Sequence, residues 1–259
     1  MNTYNLIILA AGRGSRMQGL TEAKPKCLLE LGGKTLLDWQ MLSARQADFK
    51  DICIIGGYRN DTLPQEQLRF INQRWQSTNM VATLFCADAL LSSEPCIVSY
   101  SDIVYRPEHL AALQNSLHSP AITYDTLWES LWRLRNEDFL ADAETFQADQ
   151  AGFLVTIGEK PTSVAQVQGQ YMGLLKFTPE AWQGIRQVYF SLPNERQDKI
   201  DMTSFLRLLM DSDIRIEAVP VSGGWIEADT ETDIKLYESA IEEAAAKGQT
   251  WSHDWRTNK

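Results

Sequence analysis

The sequence is short of the residue types that build several common kinds of functional site. It has four cysteines and three histidines among 259 residues. No two cysteines form a CxxC pair, and no histidine cluster accompanies them. Structural zinc sites and disulfide frameworks depend on such patterns, so the sequence predicts neither. The thiols are expected to be reduced and mostly buried; they are Cys27, Cys53, Cys86 and Cys96.

The chain also lacks a long hydrophobic run and an excess of basic residues. The early apolar run LIILA is too short to span a bilayer and follows no basic segment. It is expected to be a core strand of a cytoplasmic protein. With 24 basic and 34 acidic residues, the formal net charge is −10, which repels nucleic acid and anionic membranes. Neither is an expected partner, and an anionic ligand would need a local cationic pocket.

What remains is an alternation of short apolar runs with amphipathic segments. It predicts an α/β fold with a Rossmann-like, mostly parallel sheet and helices on both faces. Residues 1–259 are expected to form a single domain with a small inserted lobe at about residues 121–165, which are rich in Trp, Asp and Glu. The polar tail from Gly248 is expected to be frayed. Strands are predicted over residues 5–10, 51–55, 95–100, 152–157, 171–177 and 214–219, and helices over residues 34–47, 63–75, 107–117, 179–190, 202–210 and 231–246.

The first predicted strand leads directly into a loop with two glycines, AAGRGSR at residues 10–16. Small residues let the backbone approach a phosphate chain closely, and Arg13, Arg16, Lys24 and Lys26 would supply positive charge. Residue 17 is methionine, so the GxGxxG dinucleotide fingerprint is absent, and so is the GxxxxGK[ST] P-loop. Taken alone, the glycines are equally compatible with a tight turn that binds nothing.

The continuation of this loop is more specific. The run L-A-A-G-x-G-x-R-M, followed by L-T and K-P-K-x-L, resembles the signature of the nucleotidyltransferase superfamily. That superfamily includes sugar-1-phosphate nucleotidyltransferases and bacterial choline-phosphate and 2-aminoethylphosphonate cytidylyltransferases. The resemblance implies that residues 9–12 hold the base and ribose. It also implies that Arg16 and Lys26 grip the triphosphate and stabilise charge on the departing pyrophosphate.

Asn79 lies where the sugar enzymes have a glutamine- and glycine-rich element, which this sequence lacks. Its side chain can both donate to and accept from a base edge, although asparagine is also an ordinary turn residue. The predicted nucleotide-binding residues are Leu9, Ala10, Ala11, Gly12, Arg13, Gly14, Asn79 and Ser101.

Two aspartates are candidate metal ligands. Asp102 ends a predicted strand, where ligands of open α/β sheets bind, and Asp229 lies in the segment WIEADT. Each could instead cap a following helix. The resemblance implies that both bind the metal and complete the catalytic set with Arg16 and Lys26. An oxygen-only site suits Mg²⁺. Glu227 shares a strand face with Asp229 by period two and is interpreted as a neighbour that contacts the acceptor.

The lobe carries the candidate acceptor site. Two tryptophans four residues apart can form an aromatic wall, and aromatic rings beside carboxylates can bind ammonium groups. This pattern, with the run DAETF, resembles the phosphocholine and 2-aminoethylphosphonate enzymes, whereas the EKP run resembles a sugar-enzyme element whose lysine contacts the acceptor phosphate. The alternatives are core or dimer tryptophans and a solvated lysine. The predicted acceptor-binding residues are Asp125, Trp128, Trp132, Arg135, Glu144, Lys160 and Glu227.

Together these features predict a Mg²⁺-dependent cytidylyltransferase. It would transfer CMP from CTP to a small amine-bearing phosphate or phosphonate, of the phosphocholine or 2-aminoethylphosphonate type, and release pyrophosphate. The acceptor is already anionic near neutral pH, so no general base is required. One alternative is a sugar-1-phosphate nucleotidyltransferase, which would differ in the lobe. Another is a non-catalytic nucleotide-binding regulatory subunit, against which the intact catalytic set argues. A homodimer through the lobe is a further expectation.

Overall fold

The computed structural model describes residues 4–256, and a seven-stranded sheet forms its centre, in the order β12-β8-β11-β6-β1-β4-β5. β11 is antiparallel to both of its neighbours, and the other adjacent pairs are parallel. The strands are β1 (Asn5–Ala10), β2 (Glu30–Leu31), β3 (Lys34–Thr35), β4 (Asp51–Gly56), β5 (Leu68–Ile71), β6 (Cys96–Tyr100), β7 (Ile103–Tyr105), β8 (Ala121–Asp125), β9 (Phe146–Ala148), β10 (Leu154–Ile157), β11 (Gln170–Phe177), β12 (Glu217–Val221) and β13 (Trp225–Glu227).

Helices cover both faces of this sheet. Successive residues of β1 point to opposite faces, so Leu6 and Ile8 lie in one hydrophobic core and Ile7 and Leu9 in the other. Residues of α1, α4 and α10 complete the first core, and residues of α2, α7 and α9 complete the second. The predicted fold class is therefore confirmed. The helices are α1 (Leu36–Gln46), α2 (Met80–Leu84), α3 (Asp88–Leu91), α4 (Pro107–Asn115), α5 (Trp128–Arg135), α6 (Phe139–Asp142), α7 (Pro179–Ser191), α8 (Asn194–Lys199), α9 (Met202–Asp211) and α10 (Glu231–Ala246).

A capping box starts α10 and bears on the site described below. The Thr230 side chain accepts from the backbone N–H of Asp233, and the Asp233 carboxylate accepts from the N–H groups of Asp229 (3.0 Å) and Thr230 (2.8 Å). Such a box satisfies N–H groups that the first helical turn leaves without partners. The residue before the cap, Asp229, is thereby held at a defined place at the helix entrance.

The predicted helix over residues 63–75 is wrong. Its centre is the edge strand β5, which pairs in parallel with β4. Residues two apart in a regular strand share a face, but Leu68 packs against one core and Phe70 against the other. The pairing shifts register between Ile54 and Ile55 of β4, and such an irregularity changes the face to which the following side chains point.

The predicted insert needs a later start than residue 121. β8 belongs to the central sheet, between β11 and β12, and α5, α6 and the antiparallel pair β9–β10 follow it. The apolar run in β8 is explained by its place inside the sheet.

The tail beyond Gly248 is not frayed within the described residues. His253 is 0% exposed and Trp255 is 2% exposed. The Trp255 ring packs edge-on against Trp39 of α1, with 6.2 Å between ring centroids. The tail finds these partners far away in sequence, which its polar composition does not reveal.

Across residues 4–256, none of the helices combines the length and the apolar character that crossing a membrane would require.

Candidate active site

A cleft opens beyond the carboxyl ends of β1 and β6, and it has two adjoining parts. The glycine-loop half has a volume of about 280 Å³ and the lobe half about 390 Å³. Arg16, Met80 and Tyr100 line both, so the two cavities are parts of one cleft. The glycine-loop half is also lined by Leu9, Ala11, Gly12, Gly14, Ser15, Lys26, Trp75, Thr78, Asn79, Thr83, Ser101 and Asp102. The lobe half is also lined by Ile103, Trp132, Arg135, Asp142, Glu144, Gln170, Tyr171, Met172, Gly173, Asp201, Met202, Thr203, Glu227 and Asp229.

The glycine loop packs tightly against its own far end. Gly14 has a φ of +71°, and a Cβ placed there would lie 2.9 Å from the Cβ of Lys26. Only glycine combines that backbone conformation with so close an approach. The loop therefore folds back so that Lys26 emerges beneath it, at the floor of the cleft.

Most of the predicted nucleotide-binding residues line the glycine-loop half, but two do not. Ala10 is buried within the sheet. The Arg13 guanidinium lies over the Tyr58 ring, 5.7 Å from its centroid. The position of each side chain gives no support to its predicted contact with a nucleotide.

Asn79 lines the cleft with its side chain already engaged. Its Oδ1 accepts from the backbone N–H of Met80 at 2.8 Å as the cap of α2, and its Nδ2 donates to the carbonyl of Lys199 at 3.3 Å. Thus a base contact through this side chain would compete with the helix cap.

Three carboxylates meet between the two halves. Oxygen atoms of Asp102, Glu227 and Asp229 lie within 4.8 Å of one another. Asp102 follows β6, and Glu227 ends β13, which pairs antiparallel with β7 so that Glu227 faces Ile103. The N–H of Ala228 also donates to the carbonyl of Asp102 at 2.9 Å. The short β7–β13 pairing therefore joins chain segments more than a hundred positions apart.

Three cations lie beside this cluster, and one of them, Arg135, places a guanidinium nitrogen 3.8 Å from an oxygen of Asp229. Lys26, only 6% exposed, places its Nζ 3.0 Å from an oxygen of Asp102 and 2.7 Å from one of Asp229. Arg16, whose side chain is 70% exposed, places a guanidinium nitrogen 3.0 Å from the other Asp229 oxygen. Burial alone would lower the pKa of Lys26, but the charges of Asp102 and Asp229 outweigh it and raise that pKa. The lysine is thus a fixed cation.

The carboxylates themselves respond in opposite directions. Burial would raise the pKa of Asp229, but the charge and hydrogen bond of Lys26, with help from Arg16, lower it to about 2. Burial raises the pKa of Glu227 well above its usual range, and the negative charges of Asp229 and Asp102 add to that rise. Burial is therefore the main reason why Glu227 resists ionisation, whereas the neighbouring cations favour the ionised form of Asp229.

These residues fit a divalent cation. One oxygen of Asp102, Oδ1, is buried without a hydrogen-bond partner, and the donor set consists only of carboxylate oxygens, which suits Mg²⁺. Asp102 and Asp229 were predicted as metal ligands and Glu227 as an acceptor contact. The structure brings all three carboxylates together, and the period-two spacing of Glu227 and Asp229 was the sequence signal for the proximity of these two.

Only part of the predicted acceptor set faces the cleft. Trp132, Arg135, Glu144 and Glu227 line the lobe half. Arg135 is largely committed elsewhere, because its Nε donates to Asp233 at 3.2 Å while its guanidinium lies 5.2 Å from the Trp132 ring centroid. Arg135 therefore stabilises both the Trp132 side of the lobe half and the capping box of α10.

Asp125 and Trp128 do not line the cleft and have structural roles. Asp125 is 0% exposed, and its oxygens accept from His253 and from the N–H groups of Leu127 and Gly223. Trp128, 3% exposed, packs edge-on against Trp132 with 6.3 Å between ring centroids. Predicting them as acceptor ligands is wrong, because tertiary partners occupy their polar or aromatic surfaces.

Lys160 is exposed and is not among the residues that line the cleft. Burial and the charge of Asp201 raise the pKa of Glu144, and the charges of Arg207 and Lys160 oppose that rise. Lys160 therefore lies near enough to influence Glu144 electrostatically, and its contact with an acceptor phosphate stays a prediction.

Several lining residues were not predicted, among them Tyr171 and Asp201. β11 runs antiparallel, so its amino end, and not its carboxyl end, reaches the cleft. Asp201 is the cap of α9, where its side chain accepts from the N–H of Ser204. Neither position follows from the rule that ligands bind at the carboxyl ends of parallel strands.

One segment contacts both halves of the cleft. We call residues 194–203, which comprise α8 and the start of α9, the bridging segment. Its Asp198 carbonyl accepts from the N–H of Asn79 at 2.7 Å, and its Asp198 carboxylate lies 2.8 Å from the Arg74 guanidinium. Its end, at Asp201 to Thr203, lines the lobe half. The wall of the lobe half is therefore tied directly to the loop at residues 74–79.

A buried lysine under a glycine loop, opposite a carboxylate cluster at the strand ends of a mostly parallel sheet, defines a phosphate-handling α/β protein. Residues 6–151 match the family described as the MobA-like NTP transferase domain. Since that match covers more than half of the chain, the protein belongs to this family and is a nucleotidyltransferase.

The similar proteins agree with this assignment. The chain is 34% identical over 249 residues to the CTP:phosphoglutamine cytidylyltransferase of Campylobacter jejuni, which covers 90% of this chain and 98% of that protein. It is 29% identical over 105 residues to the choline-phosphate cytidylyltransferase of Haemophilus influenzae, which covers 39% of this chain and 44% of that protein. In fold it is similar to the inositol-1-phosphate CTP transferase of T. maritima, with a TM-score of 0.71, 15% identity and 92% and 96% of the two chains covered.

Proposed function

We propose that this protein is a Mg²⁺-dependent cytidylyltransferase that transfers CMP from CTP to the phosphate or phosphonate of a small amine-bearing acceptor and releases pyrophosphate. The observation that carries the proposal is the single cleft whose two halves meet at the Lys26 and carboxylate cluster. The 34% identity to a CTP-using enzyme, over nearly the full length of both chains, supports CTP as the donor.

The reaction needs positioning and charge neutralisation. An oxygen of the acceptor phosphate attacks the α-phosphorus of CTP, and the bond from that phosphorus to the pyrophosphate oxygen breaks. The attacking oxygen carries no proton that must be removed, so no side chain has to act as a base. Lys26 and Arg16 lie where the two halves meet, and they would stabilise the charge that develops on the departing pyrophosphate.

Asp102, Glu227 and Asp229 would hold the Mg²⁺. When bound, the ion neutralises phosphate charge and acts as a Lewis acid. The partnerless buried oxygen of Asp102 and the approach of the three carboxylates to within 4.8 Å of one another support this assignment.

The lobe half favours an acceptor with an ammonium group. Asp142, Glu144 and Asp201 line it, and the largely buried Trp132 ring forms part of the same wall. Carboxylates beside an aromatic ring attract ammonium groups, whereas a neutral polyol gains little from such a wall. Phosphoglutamine, phosphocholine and 2-aminoethylphosphonate all carry an amine or quaternary ammonium group, so the wall is compatible with each.

The test measures pyrophosphate release in the presence of Mg²⁺ with CTP, UTP, dTTP or ATP as the donor. The acceptors are phosphoglutamine, phosphocholine, 2-aminoethylphosphonate and a set of sugar 1-phosphates. We expect turnover with CTP and at least one amine-bearing acceptor. Turnover with sugar 1-phosphates alone would overturn the acceptor assignment, and equal use of UTP or dTTP would overturn the assignment of CTP.

A further inference from the structure

The tail that follows α10 forms a strap, residues 251–256, across the end of β8 and the turn that precedes β13. We propose that this strap positions the carboxylate cluster, and that His253 is a positioning residue which acts through Asp125 and the turn at Gly223 and Gly224. The inference rests on the proposed function in one respect, since it assigns a support to that same site.

The link between strap and turn is a buried pair. His253 and Asp125 are each 0% exposed, and the His253 Nε2 lies 2.9 Å from one Asp125 oxygen. The other Asp125 oxygen accepts from the N–H of Gly223 at 2.8 Å and from that of Leu127 at 2.9 Å. In the tautomer with its proton on Nε2, His253 donates to Asp125, whose oxygens accept from all three groups. A buried network with its members satisfied in this way favours one arrangement.

The strap also contacts the turn through its backbone. The N–H of Gly224 donates to the carbonyl of Ser252 at 2.8 Å, and the Nε of Arg106 donates to the carbonyl of Asp254 at 2.8 Å. Gly223 has a φ of +59°, and a Cβ there would lie 2.3 Å from the Ser252 carbonyl oxygen. The turn is therefore pressed directly against the strap.

The Gly223–Gly224 turn leads directly into β13, the strand that carries Glu227 of the carboxylate cluster. β13 starts at the next residue, Trp225, and pairs with β7 in a separate two-stranded sheet of three residue pairs. A pairing this short is marginal by itself, so its register depends on what anchors its ends. The α10 capping box anchors the end beyond Glu227, and the strap anchors the end before Trp225.

The strap acts at a distance from the chemistry. None of its residues lines either half of the cleft, whereas Trp225 stacks on Trp132 of the lobe wall at 6.1 Å between ring centroids. Loosening the strap would therefore displace Glu227 and the wall without removing any group that contacts a substrate.

The experiment compares His253→Ala and His253→Gln in the full chain, because a glutamine amide can replace the Nε2–H donor. For His253→Ala we expect amide hydrogen exchange at residues 223–227 to accelerate about tenfold and Mn²⁺ binding to the protein without nucleotide to weaken about tenfold. We expect kcat to fall about tenfold while the KM for CTP changes little. His253→Gln is expected to restore most of each property.

The matched control is Trp182→Phe, which removes a buried hydrogen bond to Asp88 in the opposite core. It should lower stability and leave exchange at residues 223–227 unchanged. If His253→Ala does not fold, Arg106→Ala replaces it, since that change removes the side-chain bond to the Asp254 carbonyl and the packing of Arg106 beside Gly224.

Wild-type exchange at residues 223–227 in the folded variant would overturn the proposal. So would faster exchange there with unchanged Mn²⁺ affinity and kcat. If the wild-type protein turns over no acceptor, the proposed function fails, but the exchange and Mn²⁺ measurements still decide whether the strap supports the cluster.

Discussion

The two halves of the cleft are assembled in different ways. The glycine-loop half takes much of its lining from one continuous stretch, residues 9–26, which a single buried strand puts in place. The lobe half takes its lining from α5, α6, the start of β11, the bridging segment and the end of β13. The glycine loop and Lys26 are thus encoded locally, whereas the carboxylate cluster and the wall of the lobe half exist only once the tertiary structure is complete. Substitutions in the lobe half should therefore affect use of the acceptor without affecting use of CTP, whereas substitutions where the halves meet should affect both.

The largest effect on activity is expected at the carboxylate cluster, which lies between the two halves and serves both. Asp102→Asn removes one charge from the carboxylate cluster and should lower kcat about a thousandfold with every acceptor. The measurement is Mg²⁺-dependent pyrophosphate release. Glu108→Gln, a change to an exposed carboxylate at the start of α4, is the matched control. Substantial Mg²⁺-dependent turnover in Asp102→Asn would contradict the metal assignment.

The second prediction concerns stability away from both halves. Burial lowers the pKa of His109 to about 4, and Asp125, Arg106 and His253 are the charged or titratable groups that act on it. Its unfolded value is about 6.5, so between these values only the unfolded chain binds the extra proton. Stability is therefore complete above about pH 6.5 and falls by about 3 kcal/mol as the pH drops through 4.

The variant His109→Gln cannot titrate and should flatten that part of the profile. Urea unfolding of both proteins from pH 7.5 to pH 4.5 measures the difference between their curves. Parallel curves would show that His109 does not lower acid stability.

A smaller and more selective effect is expected in the lobe half. Glu144→Gln keeps the shape of the side chain and removes its charge, so kcat/KM for amine-bearing acceptors should fall about tenfold with the KM for CTP unchanged. Glu129→Gln, on α5 but paired with Arg133 outside the cleft, should change neither value. An equal loss for CTP and acceptor in Glu144→Gln would break the proposed separation of the halves.

The smallest effect is expected where the halves are tied together. Arg74→Ala removes the exposed ion pair with Asp198, and such pairs contribute little. We expect the KM for CTP and for the acceptor to rise together by about threefold, as steady-state kinetics would measure. A rise in only one of them would show that the bridging segment does not transmit the change.

The contrast between the halves also explains what the sequence could predict. The place of β1 and its loop at the cleft was predicted because the strand, the glycines and Lys26 are close in sequence. Asp102 followed from its place at a strand end. These features depend on residues that are neighbours in sequence, and a single strand followed by its loop is enough to position them.

The errors lie where the decisive partner is distant. Asp125 had the appearance of a ligand until His253, 128 positions away, proved to be its partner. Trp128 and Trp132 share a helix, and only the packing of α5 decides which of them reaches the cleft. The proximity of Glu227 to Asp102 was not predicted, because the β7–β13 pairing that brings them together joins two short strands far apart in sequence.

The bridging segment has a consequence for how enzymes of this kind diverge. Residues 201–203 line the acceptor wall, while the same segment holds the backbone of Asn79. A substitution there that suits a new acceptor would also disturb the loop beside the nucleotide. It would therefore weaken nucleotide binding as well. Changes around Glu144 and Trp132 have no such connection. New acceptor specificities should therefore accumulate in the inserted lobe, with the bridging segment changing more slowly.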